Sequence, residues 1–328
     1  MAYKLDLTDR KILMEIDTGS RASFSKTGRR LGIGKNNVQY RVSKLVEDGV
    51  IKKFVTQVSL AKFGLSLAKI YFQLSGYDEK TEAELCKYLL NDKRISWVAK
   101  CEGRWDLMIG TYVENILQFL EVKDDFFEKF GRHVTGYDVV FLTEGYTSQR
   151  TYLINKKSYY SKKVERFMGS GRIKFKKQDV ELLKFIANNA RFNYTEIAKK
   201  FRINVKTAQA RIKNLEKLGI IQGYVTFLDI KKIGYNFFKL CVYTKGDKKQ
   251  MESFIRYCLE LPNVIHVIES VGQWEVELEI ETETLQDFYG LTHQIRNKFT
   301  GFIRKTESII ISEEVKLDFF PEWYEASI

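Results

Sequence analysis

Long apolar runs are missing from this chain of 328 residues. No stretch approaches the roughly 18 apolar residues that a membrane-spanning helix needs, so no membrane partner is expected. The opening Met1-Ala2-Tyr3-Lys4-Leu5-Asp6 turns amphipathic at once and lacks the apolar core of a signal peptide, which points to the cytoplasm. Histidine is scarce: His133, His266 and His293 stand far apart, with no carboxylate or cysteine at ligand spacing, and read as structural side chains. Cys86, Cys101, Cys241 and Cys258 are scattered with no CxxC pair, which speaks against a zinc site or a disulfide framework and leaves buried thiols. No metal, no cofactor and no catalytic residue is expected.

What the chain has in excess is positive charge, +12 overall, and it is unevenly spread. From Ser20 to Lys53 there are 9 basic and 2 acidic residues, and from Ala190 to Lys217 there are 8 and 2. The stretch from Asp78 to Glu144 is instead acidic, with 9 basic and 14 acidic residues. Solubility does not require positive charge to be concentrated in two blocks, whereas a polyanion-binding surface does.

Both basic blocks end in the same pattern. Val38, Val42 and Leu45 share one face of a helix that starts after Gly34, and Ala208, Ile212 and Leu215 share the matching face after Asn204. The opposite face carries Lys35, Asn36, Asn37, Gln39, Tyr40, Arg41 and Lys44 in one copy, and Lys206, Thr207, Gln209, Arg211 and Lys213 in the other. These residue types bond base edges and phosphates of double-stranded DNA. Asn204 is a strong N-cap and Gly34 a weak one, and Gly49 and Gly219 suit left-handed C-terminal caps. Val50-Ile51 and Ile220-Ile221 then begin β-branched runs, so each unit reads as a recognition helix followed by a short hairpin, a winged helix-turn-helix.

An offset of 170 positions pairs Arg21 with Arg191, Arg41 with Arg211, Thr56 with Thr226 and Gly64 with Gly234, so the chain is a tandem duplication. Thr8 is the expected cap of the first helix. The second helix, about Phe24 to Leu31, looks weaker than its repeat because Thr27 and Gly28 replace Ile197 and Ala198, and an interior glycine costs about 1 kcal/mol relative to alanine.

After each wing comes the order β-α-β-β-α-β. In the first copy the strands fall at about 68–74, 95–101, 105–112 and 134–142; in the second they fall at about 237–243, 264–271, 274–280 and 303–312. This is an α+β ferredoxin-like sandwich whose open sheet face must be covered, most simply by another such sheet. The expected division is a winged helix-turn-helix at 1–63, a ferredoxin-like sensor domain at 64–148, a basic and partly flexible linker at 149–176, a second winged domain at 177–233 and a second sensor domain with its tail at 234–328. Glu275, Glu277, Glu279 and Glu281 alternate with Trp274, Val276, Leu278 and Ile280, giving a carboxylate column that fits either a solvated face or a face against a partner sheet bearing cations. The apolar Phe319 to Tyr324 is expected to pack on its own sensor domain.

This architecture resembles the Lrp/AsnC family of feast/famine transcriptional regulators. The carrying residues are Leu7 to Leu13, Arg41 to Ile51 and Gly103-Arg104-Trp105-Asp106, with Tyr194 to Ala198, Arg211 to Ile221 and Gly272-Gln273-Trp274-Glu275 in the second copy. The resemblance implies a sequence-preferring DNA binder whose sensor sheets pair and bind small effectors, often amino acids. The family's Gly-x-Tyr-Asp turn lies by the effector pocket, which carries over to Gly103, Trp105 and Asp106, and to Gly272, Trp274 and Glu275. Tryptophan replaces tyrosine in both copies, and glutamate replaces aspartate in the second. The tandem layout implies an intramolecular pseudo-dimer, and a homo-oligomer is expected beyond it. Two rival readings remain. Sirohaem decarboxylases resemble this fold and occur as fused pairs, placing basic and histidine residues around a tetrapyrrole; an architectural DNA-binding protein would bind without site preference.

Overall fold

The computed structural model describes residues 3–154, 164–168, 173 and 175–325. Three helices open the chain: α1 (Leu7–Asp17), α2 (Phe24–Leu31) and α3 (Lys35–Glu47). The cap of α1 is Asp6 rather than Thr8, because its carboxylate accepts from the Asp9 amide while Asp9 reciprocates to the Asp6 amide. Gly28 has a use that its cost concealed. A Cβ there would stand 2.5 Å from the Ile33 carbonyl oxygen, so the tight turn into α3 needs the missing side chain.

Strand β1 (Ile51–Val58) follows, then β2 (Ser66–Leu74), α4 (Glu79–Asn91), β3 (Ile95–Gly103), β4 (Leu107–Val113), α5 (Ile116–Phe130) and β5 (Val134–Ser148). A short strand β6 (Val164–Met168) precedes the second copy: α6 (Lys177–Ala187), α7 (Tyr194–Phe201), α8 (Val205–Lys217), β7 (Ile221–Leu228), β8 (Asn236–Thr244), α9 (Lys248–Glu260), β9 (Val264–Gly272), β10 (Val276–Thr282), α10 (Leu285–Lys298) and β11 (Ile303–Leu317). As the sequence requires, Gly49 and Gly219 sit at φ 68° and 65° after their recognition helices. Strands β4 and β10 begin two residues later than the spacing predicts, so Trp105 and Trp274 belong to the preceding turns.

The expected local hairpins do not form. Strand β1 pairs antiparallel with β7, from Ile51 opposite Leu228 to Val58 opposite Ile221, so the partner of each wing strand comes from the other copy. The same exchange builds the sensor layer. Strands β5 and β11 are longer than expected: the first half of each stays in its own sheet, and the second half pairs with β9 or β3 of the other copy. Eight of the described strands thereby close into a ring, β2-β4-β3-β11-β8-β10-β9-β5, with the β2–β5 pairing completing it and β6 added on β5. Closure leaves these sheets no open edge. The two sheets cover each other within one chain. Helices α4 and α5 pack outside one sheet and α9 and α10 outside the other, each over an apolar core.

Parts of the segment read as a tether are ordered. Tyr152 and Leu153 are buried in a short 3-10 turn, and β6 pairs with β5; Lys156, Lys157, Lys162, Lys163, Arg172, Lys174 and the Gly169-Ser170-Gly171 stretch lie outside the described residues. The C-terminal segment docks within the chain but not on its own sensor sheet. Phe320 and Tyr324 join the core of the second helix-turn-helix, at 5.8 and 5.7 Å from the Phe63 ring. No disulfide forms among the described residues; Cys101, Cys241 and Cys258 are buried, but Cys86 is only half-buried. No helix among those residues is long and apolar enough to cross a membrane.

Candidate nucleic-acid interface and the interior between the sheets

The apolar stripes of α3 and α8 are buried as their spacing predicts. On the outer face Lys35, Asn36, Asn37, Gln39, Tyr40 and Lys44 are exposed, Tyr40 to 68 %. Lys206, Gln209 and Lys213 are exposed on α8, with Thr207 half-buried at its start, where the Thr207 amide donates to the Asn204 side chain. The two helices are not equivalent. The Arg41 guanidinium is held by Asp6 and Asp9, both at 2.7 Å, and donates to Asn37 at 2.8 Å. Among the described residues Arg211 donates to the neutral Gln178, at 2.7 Å, and forms no ion pair: Lys176 stands where the first copy has Asp6, and Asp179, the counterpart of Asp9, accepts from the Lys176 amide. Arg41 therefore enters any phosphate contact already neutralised, whereas Arg211 keeps its charge for one.

The two winged units are locked by reciprocal contacts. The Thr56 hydroxyl donates to the Ile186 carbonyl at 2.8 Å, and the Thr226 hydroxyl to the Ile16 carbonyl at 2.7 Å. Arg21 lies over the Phe192 ring at 3.6 Å and donates to the carbonyls of Ala190 and Phe192; Arg191 lies over Phe24 at 4.3 Å. Burial, with the charge of Arg21 nearby, pushes Arg191 down to about 10. The threonine, isoleucine and arginine pairs obey the sequence offset of 170, as does the stacking of Arg21 on Tyr194 with that of Arg191 on Phe24, whereas Phe192 stands where the first copy has Ala22.

Between the sheets the carboxylate column turns inward. Glu277 accepts from Lys69 and Lys239, both at 2.7 Å, and from the Tyr71 hydroxyl at 2.6 Å. Glu279 is bonded by Lys239 at 2.8 Å and by His266 at 2.7 Å, and Glu281 by Arg150, which also reaches Asp17. Burial alone would raise both carboxyls, but the charges of Lys239 and Lys69 hold Glu277 down to about 2, and Lys239 with His266 hold Glu279 well below the usual range. Sequence reasoning missed these cations. The available signal was a lysine in the middle of an apolar strand, Lys69 in β2 and Lys239 in β8, at matching positions of the two copies.

The turn residues named from the resemblance lie at the edge of the same interior. Trp105 and Trp274 are fully buried with ring centroids 5.3 Å apart, and Tyr71 packs against both. The Trp274 indole donates to Glu277 at 3.2 Å and that of Trp105 to Asp138 at 3.0 Å. Asp106 and Glu275 do the same job in each copy, accepting from the amides of Leu74 and Thr244 at 2.7 Å. Gly103 and Gly272 adopt φ 126° and 147°, and a Cβ on Gly272 would collide with the Val139 carbonyl oxygen at 2.3 Å. At the other end, beneath the paired wing strands, a cavity of about 200 Å³ is lined by both sheets, both wings and the C-terminal segment.

Comparison with known proteins agrees with the geometry. The winged helix-turn-helix DNA-binding family matches residues 5–52 and again 175–222. An uncharacterized HTH-type transcriptional regulator of Pyrococcus horikoshii is 31% identical over 114 residues, 34% of this chain and 75% of that protein. The regulatory protein AsnC of Haemophilus influenzae is 24% identical over 132 residues, 40% of this chain and 87% of its own length. Over nearly the whole chain, the siroheme decarboxylase NirDL, solved with an iron-uroporphyrin III analogue, has the same fold, with a TM-score of 0.59 and 15% identity, covering 97% of each chain.

Proposed function

We propose that this chain, which belongs to the Lrp/AsnC family of helix-turn-helix transcriptional regulators, binds one DNA duplex through both recognition helices as an intramolecular pseudo-dimer and reads a site with two half-sites. The observation that supports this best is the reciprocal lock between the winged units, since a fixed pair of recognition helices suits half-sites separated by whole helical turns of about 10 base pairs. Because Arg41 is tied to Asp6 and Asp9 while Arg211 is not, the half-sites differ, and the one under α8 carries the stronger phosphate contact. Sequence preference falls to Asn36, Asn37, Tyr40, Lys206 and Thr207 near the helix starts, with Lys35, Gln39, Lys44, Gln209 and Lys213 alongside.

A small effector in the sensor layer shifts the balance between arrangements of the helices, provided it binds them unequally. Gly103, Trp105 and Asp106, with Gly272, Trp274 and Glu275, shape that layer: Trp274 bonds Glu277, which bonds Lys69 on the cavity wall. The reading is tested by selecting fragments of genomic DNA with the purified chain and titrating affinity against salt. Affinity for a preferred site that falls steeply with salt supports it. Salt-dependent binding without preference would point to an architectural protein.

The whole-chain likeness to a siroheme decarboxylase keeps the enzyme as a second reading. A tetrapyrrole rich in carboxylates needs unpaired cations, and in the interior Lys69, Lys239 and Arg150 are already matched to Glu277, Glu279, Glu281 and Asp17. Loss of carbon dioxide from sirohaem on incubation with the purified chain would establish that reading.

A further inference from the structure

The cavity beneath the wings differs from the rest of the interior in its polar balance. Glu277, Glu279 and Glu281 each meet at least one cation. Among the described residues, the Glu314 carboxylate takes a single hydrogen bond, from the Trp97 indole at 3.2 Å, and forms no ion pair. Burial raises its carboxyl above the ordinary range, as expected of an acid with too few partners. Among the described residues, two further wall side chains leave acceptors unused. Gln57 is 8 % exposed; its amide nitrogen is fixed on the Thr147 hydroxyl at 2.9 Å, and its amide oxygen has no partner. The Ser96 hydroxyl, 3 % exposed, also has none. Buried polar atoms in native proteins are nearly always bonded, and groups left unpaired together call for an explanation.

The cations near the cavity do not supply it. Lys69 is spent on Glu277, Arg150 on Glu281 and Asp17, and His266 on Glu279. Lys53 donates to the Leu317 carbonyl and to Asn188, and Lys52 pairs with Asp229, so the charges of these two lysines act on Glu314 only from a distance. The remaining wall is largely apolar, with Phe227 and Ile230 from the second copy's wing region, Phe237 and Ile265 from its sheet, and Leu67 and Leu142 from the first copy's sheet. A cavity of about 200 Å³ suits a body of a few carbon atoms up to one aromatic ring and is small beside the range of roughly 300–1,000 Å³ for larger ligands.

We propose that this cavity binds a small organic cation, a primary amine on an apolar body, with its ammonium group paired to Glu314 and its polar hydrogens serving the free acceptors of Gln57 and Ser96. The proposal rests on the regulator reading only for its consequence: the cavity is walled by both wing strands, so an occupant touches the elements that fix the recognition helices. A carboxylate ligand is disfavoured because it would bring a second anion beside Glu314 and satisfy neither acceptor.

The test uses the full chain and three matched probes, 2-phenylethylamine, 2-phenylethanol and 3-phenylpropanoate, with butylamine as a smaller amine. Binding is followed by calorimetry and by the shift in melting temperature. Saturable amine binding at least tenfold tighter than that of the alcohol or the acid is expected, and Glu314→Gln should weaken amine binding tenfold or more. Acid binding as tight as the amine, absence of saturable amine binding, or an unchanged affinity in Glu314→Gln would overturn the proposal. If Glu314→Gln does not fold, Gln57→Met, which keeps the volume and removes the acceptor, should weaken the amine several-fold; an unchanged amine affinity would overturn it. DNA affinity is measured without amine in the same preparation. A chain that binds DNA but ignores amines fails the cavity alone, and one that takes amines without binding DNA fails the regulator reading alone.

Discussion

The wing interface and the interior between the sheets began as the same kind of object, two copies of one sequence facing each other, and they have diverged in opposite ways. At the wings the copies still exchange matching contacts, Thr56 with Thr226 and the stacking of Arg21 on Tyr194 with that of Arg191 on Phe24. In the interior the equivalent positions no longer match: Glu277, Glu279 and Glu281 of β10 correspond to Met108, Gly110 and Tyr112 of β4. Lys239 lies across from Glu279 in its own sheet, whereas Lys69 lies across from Gly110 and takes its carboxylate, Glu277, from the other copy. A homodimer of the second copy would bury twice as many carboxylates and could not place a glycine in one copy where the other has a glutamate. Fusion into one chain removes that constraint. The end that carries the two helix-turn-helix units keeps the symmetry, and the end with the cavity has lost it.

The largest expected effect breaks the asymmetric side. Glu277→Gln leaves the buried Lys69 without a carboxylate and Lys239 with Glu279 alone, and denaturant unfolding should show a loss of about 3–5 kcal/mol, while Met108→Leu at the matching position should cost less than about 1.5 kcal/mol. Equal losses would mean that the copies contribute alike. The same carboxylate sets the acid limit. Its folded value, about 2, lies below its ordinary 4.5, so the stability it contributes is fully present above 4.5 and is lost as pH falls toward 2. The melting temperature should drop through that window in the native chain, and Glu277→Gln should flatten the drop. At the recognition helices, Arg211→Ala should weaken DNA binding roughly tenfold and lower the salt slope by about one. Arg41→Ala should change DNA affinity less and stability more, because Arg41 joins α3 to Asp6 and Asp9 of the first helix. The smallest effects test the symmetric side: Thr56→Val and Thr226→Val should each cost about 1 kcal/mol, and a marked inequality would show that the wing interface has drifted too.

Local order was readable in the sequence; partnership was not. The helix α2 falls at the residues predicted for it, and the glycines after α3 and α8 take the left-handed turn. Those features depend on neighbours within one turn of helix. The exchange of β1 with β7, and the extension of β5 and β11 onto the other copy, depend on strands more than a hundred residues away, and no alternation of side chains states which edge will be met. The carboxylate column showed the same limit. Its spacing in β10 demanded one polar face, but only the placement of Lys69 and Lys239 decided that this face is interior. The outward polar faces of α3 and α8 were legible because exposure needs no partner, whereas the cavity, built from both sheets, both wings and the C-terminal segment, belongs to no single stretch.

The most direct test of the central claim, that one chain places two unequal recognition helices on one duplex, is a hydroxyl-radical footprint of the purified chain on its selected site, with the number of chains per site counted in the same samples. One chain per site should protect two half-sites on one face of the duplex, separated by whole helical turns, and Arg211→Ala should weaken one of them first. A single protected half-site per chain, or uniform protection without preferred positions, would contradict it.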